Sequence, residues 1–170
     1  VVIKVGDDLF AKYDFRGYAR PIFFPVFGPG QVPMTRAYPM QKVDGEASDH
    51  PHHKSVWFAH GAVNGIDFWK EDGSIAHVSF DQFDPQRGFT VTDHWLDPAS
   101  KKPLLVVTGK FQFGVDDSAR WIDCEYVLRA ADQEVLLGDT KEGTFAIRTH
   151  PDLRLVANPK QGVKEVFGKA

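Results

Sequence analysis

The 170 residues are 42 % hydrophobic and 25 % charged with a formal net charge of −3, a globular composition that argues against disorder. No run of lysine or arginine offers a track for a phosphate backbone, so nucleic acid is not an expected partner. No stretch approaches the roughly 20 apolar residues that a bilayer-crossing helix needs, so no membrane partner is expected and the chain reads as soluble.

The first third is rich in proline, glycine and aromatics, as in Arg20-Pro21-Ile22-Phe23-Phe24-Pro25-Val26-Phe27-Gly28-Pro29-Gly30. Proline removes ladder donors, which predicts edge strand and ordered loop wrapped over the sheets. Next comes Asp49-His50-Pro51-His52-His53-Lys54-Ser55-Val56-Trp57, with four histidines between His50 and His60. If this segment is extended, His53, Ser55 and Trp57 share one face, while His52, Lys54, Val56, Phe58 and His60 share the other.

From about Ser74 the side chains alternate with the period of a strand. Strands are predicted at Ile75–Phe83, Phe89–Leu96, Val135–Leu137 and Thr144–Thr149, with turns at Asp84–Gly88 and Asp97–Ser100. Leu105, Val107, Phe111 and Phe113 form one face of a long strand interrupted by Gly109. Ile122, Cys124, Tyr126 and Leu128 repeat the pattern after a hairpin connection at Gly114–Ser118. No window carries a sustained helical stripe. The expected fold is all-β, an antiparallel β-sandwich, and residues 1–170 read as a single β domain. The C-terminal Gly162–Ala170 has the look of an unfinished strand or hairpin, which suggests a fragment of a longer chain. Cys124, the single cysteine, reads as a buried inert thiol in its strand pattern.

The candidate site centres on the histidines. A histidine paired with a carboxylate is suited to acid–base work on a sugar hydroxyl or ring oxygen, and an indole beside it offers an apolar wall to a pyranose. Neutral imidazoles with Asp49 could instead ligate zinc, copper or iron, although the spacing matches no strong metal signature. A third reading has the histidines holding loops through backbone hydrogen bonds. His52 and His53 are the catalytic candidates. Glu142, in Gly138-Asp139-Thr140-Lys141-Glu142-Gly143, is the candidate base, a pairing that requires it within about 10 Å of one of them. Substrate-binding candidates are Arg36, Asp49, Trp57, His60, Asn64, Asp67, Lys141 and Arg148, the last as a fork for a carboxylate. No cofactor and no metal are assigned.

The phrases Phe24–Gly30, Thr35-Arg36-Ala37-Tyr38-Pro39-Met40, Asp49–Gly61, Val63-Asn64-Gly65-Ile66-Asp67-Phe68-Trp69 and Gly138–Gly143 together resemble the bacterial PmoA family, often labelled methane oxygenase, along nearly the whole chain. The resemblance implies a longer protein with a further histidine- and aromatic-rich β region. It also implies a supersandwich of the galactose-mutarotase type, in which a histidine acid and a glutamate base act on a sugar. The resulting expectation is a carbohydrate-active enzyme of bacterial sugar catabolism, an epimerase, mutarotase or related acid–base catalyst with a small-molecule, sugar-like substrate. A metal-dependent oxygenase or hydrolase, as the family label suggests, and a noncatalytic sugar-binding module are the alternatives. The compartment, cytoplasm or periplasm, and the oligomeric state are not legible.

Overall fold

The computed structural model describes residues 1–153. Nine strands are present among them: β1 (Val2–Val5), β2 (Asp8–Asp14), β3 (Ile22–Val26), β4 (Val56–His60), β5 (Ser74–Asp84), β6 (Gly88–Leu96), β7 (Pro103–Val115), β8 (Arg120–Ala130) and β9 (Gly143–Ile147). Two 3₁₀ turns, Pro29–Gln31 and Pro151–Leu153, complete the regular structure. The strands form a five-stranded sheet in the order β1-β2-β3-β4-β9 and a four-stranded sheet in the order β5-β6-β7-β8. Every pairing is antiparallel, and the two inner faces enclose the core of a β-sandwich.

The four-stranded sheet follows the sequence pattern closely. Leu105, Val107 and Phe111 of β7 are buried, and Ile122, Cys124, Tyr126 and Leu128 of β8 pack against the core from the next strand. Gly109 sits on the same face of β7, where a Cβ would come within 3.1 Å of the Phe111 ring. Its missing side chain therefore makes room for Phe111 to lie flat on the sheet. The connections carry their own chemistry. Asp97 Oδ1 accepts from the amides of Ala99 and Ser100, and Asp116 Oδ1 accepts from Ser118 and Ala119, so each carboxylate closes its turn. Burial pushes the Cys124 thiol up to about 11, consistent with an inert cysteine.

Three expectations change. Ile22–Val26 is an interior strand between β2 and β4 and not an edge. Pro25 is tolerated because the β3–β4 ladder ends at Phe23↔Val56 and the β2–β3 register slips between Ala11 and Tyr13, which leaves Phe24 and Pro25 outside both ladders. Val135–Leu137 is not a strand. Only Leu137 makes an isolated bridge, to Val63, since this short apolar run passes a loop and leaves Leu136 70 % exposed. Thr144–Thr149 shortens to β9, with Thr149 bridging Thr35. The predicted C-terminal strand or hairpin at Gly162–Ala170 lies outside the described residues.

The core is strongly aromatic. One cluster gathers Trp57, Phe68, Trp69 and Trp95, and a second gathers Phe10, Tyr13, Phe23, Phe89 and Phe111. β4 lies between β3 and the edge strand β9 and is covered from both sides, with Val56, Trp57 and Ala59 all buried. Its N-terminal end delivers the histidine loop to the surface. Its C-terminal end meets the segment around Glu142.

Candidate functional site

β4 begins only at Val56, so His50, His52 and His53 precede the strand and His60 alone of the four lies in it. His50 (φ 47°) and Ser55 (φ 58°) adopt left-handed backbone, which breaks the alternation that an extended segment would impose. The result is a compact loop in which the imidazoles meet one another. The rings of His50 and His53 stack at 4.8 Å and 17°, while His52 packs edge-on to His53 at 4.5 Å. His53 in turn stacks on Trp57 at 5.3 Å, and the Trp69 Nε1–H donates to His53 Nε2 at 3.4 Å.

Two buried arginines hold this loop in shape. Arg36, fully buried, donates to the carbonyls of Tyr38, Ala47, Asp49 and His50 and makes a 2.6 Å bond to Asp49 Oδ1. Arg20, 2 % exposed, donates to the carbonyls of His52, Phe68 and Trp69, and its guanidinium lies 5.4 Å from the Trp57 ring centre. Burial lowers Arg20 to about 10, which still leaves it charged at neutral pH. Glu71 answers that charge at 3.4 Å and also pairs with the nearly buried Lys54. Ser55 Oγ donates to Thr35 Oγ1 at 2.7 Å beneath the loop. A surface loop with two buried cations and positive-φ residues is preorganised at a cost in desolvation and strain, a pattern concentrated at functional sites.

The outward part of the loop holds its charged contacts. Asp49 Oδ2 lies 2.6 Å from His50 Nδ1, and Arg148 donates to both Asp49 oxygens at 3.2 and 3.3 Å. Partial burial works to raise the Asp49 carboxyl, but hydrogen bonds from His50 and Arg36 and the charge of Arg148 outweigh it and hold the group far below the usual range. Asp49 is therefore ionised at any ordinary pH. It holds His50 by Nδ1, while Nε2 of this exposed ring makes no hydrogen bond among the described residues. His52 is lowered by desolvation and then by the charge of Arg20, and His53 is lowered to about 4 by desolvation and then by His52 and His50. His53 is thus neutral at pH 7, and with its Nε2 receiving the Trp69 N–H it serves as a neutral packing partner rather than as the acid expected of it.

The remaining candidates separate into two groups. Asp49 and Arg148 join the histidines, whereas Arg36 lies beneath them as a buried clamp and not as a loop residue free for substrate. Trp57 is 3 % exposed and its ring is covered by His53 and Arg20, so it is no open platform for a sugar ring. Glu142, Lys141 and His60 belong to the far end of β4: the Gly61 amide donates to the Glu142 carbonyl, and His60 pairs with Gly143. Five strand steps from Val56 to Gly61 span roughly 16 Å, which places Glu142 away from His52 and His53. Lys141 is an exposed partner of Glu142, and His60 Nε2 bonds the Gly138 carbonyl. Asn64 Oδ1 accepts from the Leu136 amide at 2.7 Å and ties two distant loops together, while Asp67 accepts from the Lys70 amide at 2.8 Å and closes a turn.

Sequence reasoning missed a second carboxylate that, besides Asp49, approaches the histidines. Glu71 raises His52 electrostatically from a turn (φ 73°) after the second core tryptophan, and Arg20 reaches the loop from 32 residues upstream. Neither carries a local motif. Among the described residues no three His, Cys, Asp or Glu side chains stand together as a metal-holding group, since the stacked rings of His50 and His53 do not converge their nitrogens on one point. The histidines form a surface platform and do not line the clefts near the β5–β6 turn.

The model of a family of unknown function, DUF6807, matches residues 1–170. This finding corrects the resemblance to the PmoA family, to which nothing relates the chain, and with it the methane oxygenase label. No curated protein and no solved structure matches.

Proposed function

The chain belongs to the DUF6807 family of unknown function, and we propose that its histidine loop performs or supports acid–base chemistry on a sugar or sugar acid. The observation that carries this reading is the Asp49–His50 couple at 2.6 Å, anchored on buried Arg36. A carboxylate on Nδ1 fixes the tautomer and leaves Nε2 as a proton acceptor, the arrangement that turns an imidazole into an oriented general base. The ionised Asp49 would stabilise the imidazolium formed when His50 takes a proton from a hydroxyl or an acidic C–H. His52, a neutral imidazole with its ring centre 5.8 Å from that of His50, is placed to share hydroxyl contacts. Arg148, partly exposed beside Asp49, would supply the cation for a ligand carboxylate.

The test is incubation of the protein with mono- and disaccharides and uronic acids in D₂O, following anomeric and C–H exchange by NMR. Exchange with one sugar class is expected, reduced about 10²-fold or more by His50→Gln. No exchange and no binding with any sugar overturns the reading. A second reading, sugar binding without turnover, is favoured by the placement of Glu142 at the far end of β4, which leaves the loop without the expected carboxylate base. It appears in the same experiment as saturable shifts without exchange.

A further inference from the structure

At the end of the sandwich marked by the β5–β6 turn, two adjoining clefts share Phe83, Asp84, Arg87, Gly88 and Phe89. The first, about 180 Å³, runs between β1 and the turn and is walled by Val5, Phe10, Phe83, Phe89, Phe113 and Val115. The second, about 220 Å³, has a mixed lining in which Thr90, Lys110 and Gln112 join the phenylalanines. Phe83 forms the ridge between them, 58 % exposed and stacked on buried Phe89 at 6.2 Å and 13°. An apolar space of roughly 150 Å³ accepts a benzene ring, so the first cleft has the size for one aromatic ring or a short acyl chain.

The charges around the rim do not balance. Lys4, Arg87 and Lys110 line the two clefts against the single carboxylate of Asp84. Asp84 is committed to its own turn, where Oδ1 accepts the Gln86 amide at 2.9 Å. The Arg87 backbone is pinned on both sides, its amide to the Asp84 carbonyl and its carbonyl to the Phe113 amide, yet its guanidinium has no partner among the described residues. Lys110 has Glu125 as its cross-strand neighbour but makes no ion pair with it. A hydrophobic slot beside cations that have no partner among the described residues is complementary to a molecule with an apolar body and an anionic head.

We propose that this end of the sandwich binds a small amphipathic carboxylate, aromatic or short-chain aliphatic, with its body against Phe83 and Phe113 and its carboxylate at Arg87 with Lys110 beside it. The site shares no residue with the histidine loop, so its fate is independent of the sugar reading.

Chemical-shift mapping with benzoate, octanoate, benzyl alcohol and acetate tests it. Benzoate or octanoate is expected to saturate with a dissociation constant on the order of 1 mM, as befits a small ligand with one charged anchor. The shifts should centre on Phe83, Phe89 and Phe113. Arg87→Gln, an exposed substitution whose folding the same spectra report, should weaken benzoate about tenfold, with acetate and benzyl alcohol each weaker than benzoate on the unsubstituted protein. Absence of saturable shifts, shifts centred elsewhere, or equal affinity for benzoate in Arg87→Gln overturns the proposal.

Discussion

His53 and His50 lie in one loop, yet their surroundings give them different chemistry. His53 is held between the His50 ring and the Trp57 indole, and its Nε2 receives the Trp69 N–H, so protonation there would cost water contacts, a hydrogen bond and repulsion from two further imidazoles. Its folded value of about 4 lies below the ordinary 6.5, which fixes the sign. The neutral ring favours the fold, and that contribution is complete above 6.5 and lost as pH falls toward 4. In a histidine NMR titration, the His53 ring resonances are expected to stay those of a neutral imidazole through pH 5. A His53 midpoint near 6.5 would mean that the stack on Trp57 does not persist in solution.

The strand elements differ in how much of them local sequence dictates. Gly88 opens β6 with φ 150°, and a Cβ there would lie 1.9 Å from the Phe111 carbonyl oxygen in the neighbouring strand. Both the dihedral and the close approach demand glycine. Gly88→Ala is therefore expected to cost on the order of 2–4 kcal/mol in urea denaturation, and a loss within about 0.5 kcal/mol would show that the β6–β7 pairing relaxes around a methyl group. β5 to β8 were legible because each has one face on the core and one toward solvent, so alternation reports them directly. β1 and β2 lie in the stretch where proline, glycine and aromatics blur the alternation, and Pro25 argues against an interior β3 until the register slip removes its harm. β4 was concealed by burial on both faces, which erases alternation, and by the positive φ of Ser55, which ends the extended segment before the histidines. The site was legible as a cluster because its histidines and Asp49 are sequence neighbours. Its supports, Arg20, Arg36, Glu71 and Arg148, come from four other segments and required the fold to bring them in. Glu142 failed as their partner for a topological reason: β9 pairs with β4 from Val56↔Ile147 to His60↔Gly143, so Arg148 meets the loop and Glu142 meets the opposite end.

For the whole molecule, pairing two sheets over an aromatic core leaves one polar couple under strain. His77 and Asp93 are cross-strand neighbours on β5 and β6, with His77 Nδ1 3.2 Å from Asp93 Oδ1 and both side chains under 10 % exposed. Phe15 and Phe80 cover the imidazole at 4.5 and 4.6 Å, excluding the water that would solvate an ion pair. Desolvation, with a smaller contribution from the Asp81 charge, raises Asp93 to about 7, and desolvation followed by the Arg16 charge lowers His77. Both shifts favour a neutral pair sharing one proton. Their linkage signs are opposite. Asp93 keeps its proton in the fold while the unfolded chain releases it from 3.8 upward, so its contribution to stability falls as pH rises from about 3.8 to about 7. His77 acts on the acid side, where stability is lost as pH falls below 6.5. Asp93→Asn keeps an amide that can donate to His77 and removes the ionisable group. Relative to the wild type, the variant should gain on the order of 2 kcal/mol between pH 5 and pH 8, read from urea midpoints at each pH. A constant difference between the two proteins across that range would mean that Asp93 is hydrated and ionised inside the sandwich, and that the two sheets are not sealed at the β5–β6 edge.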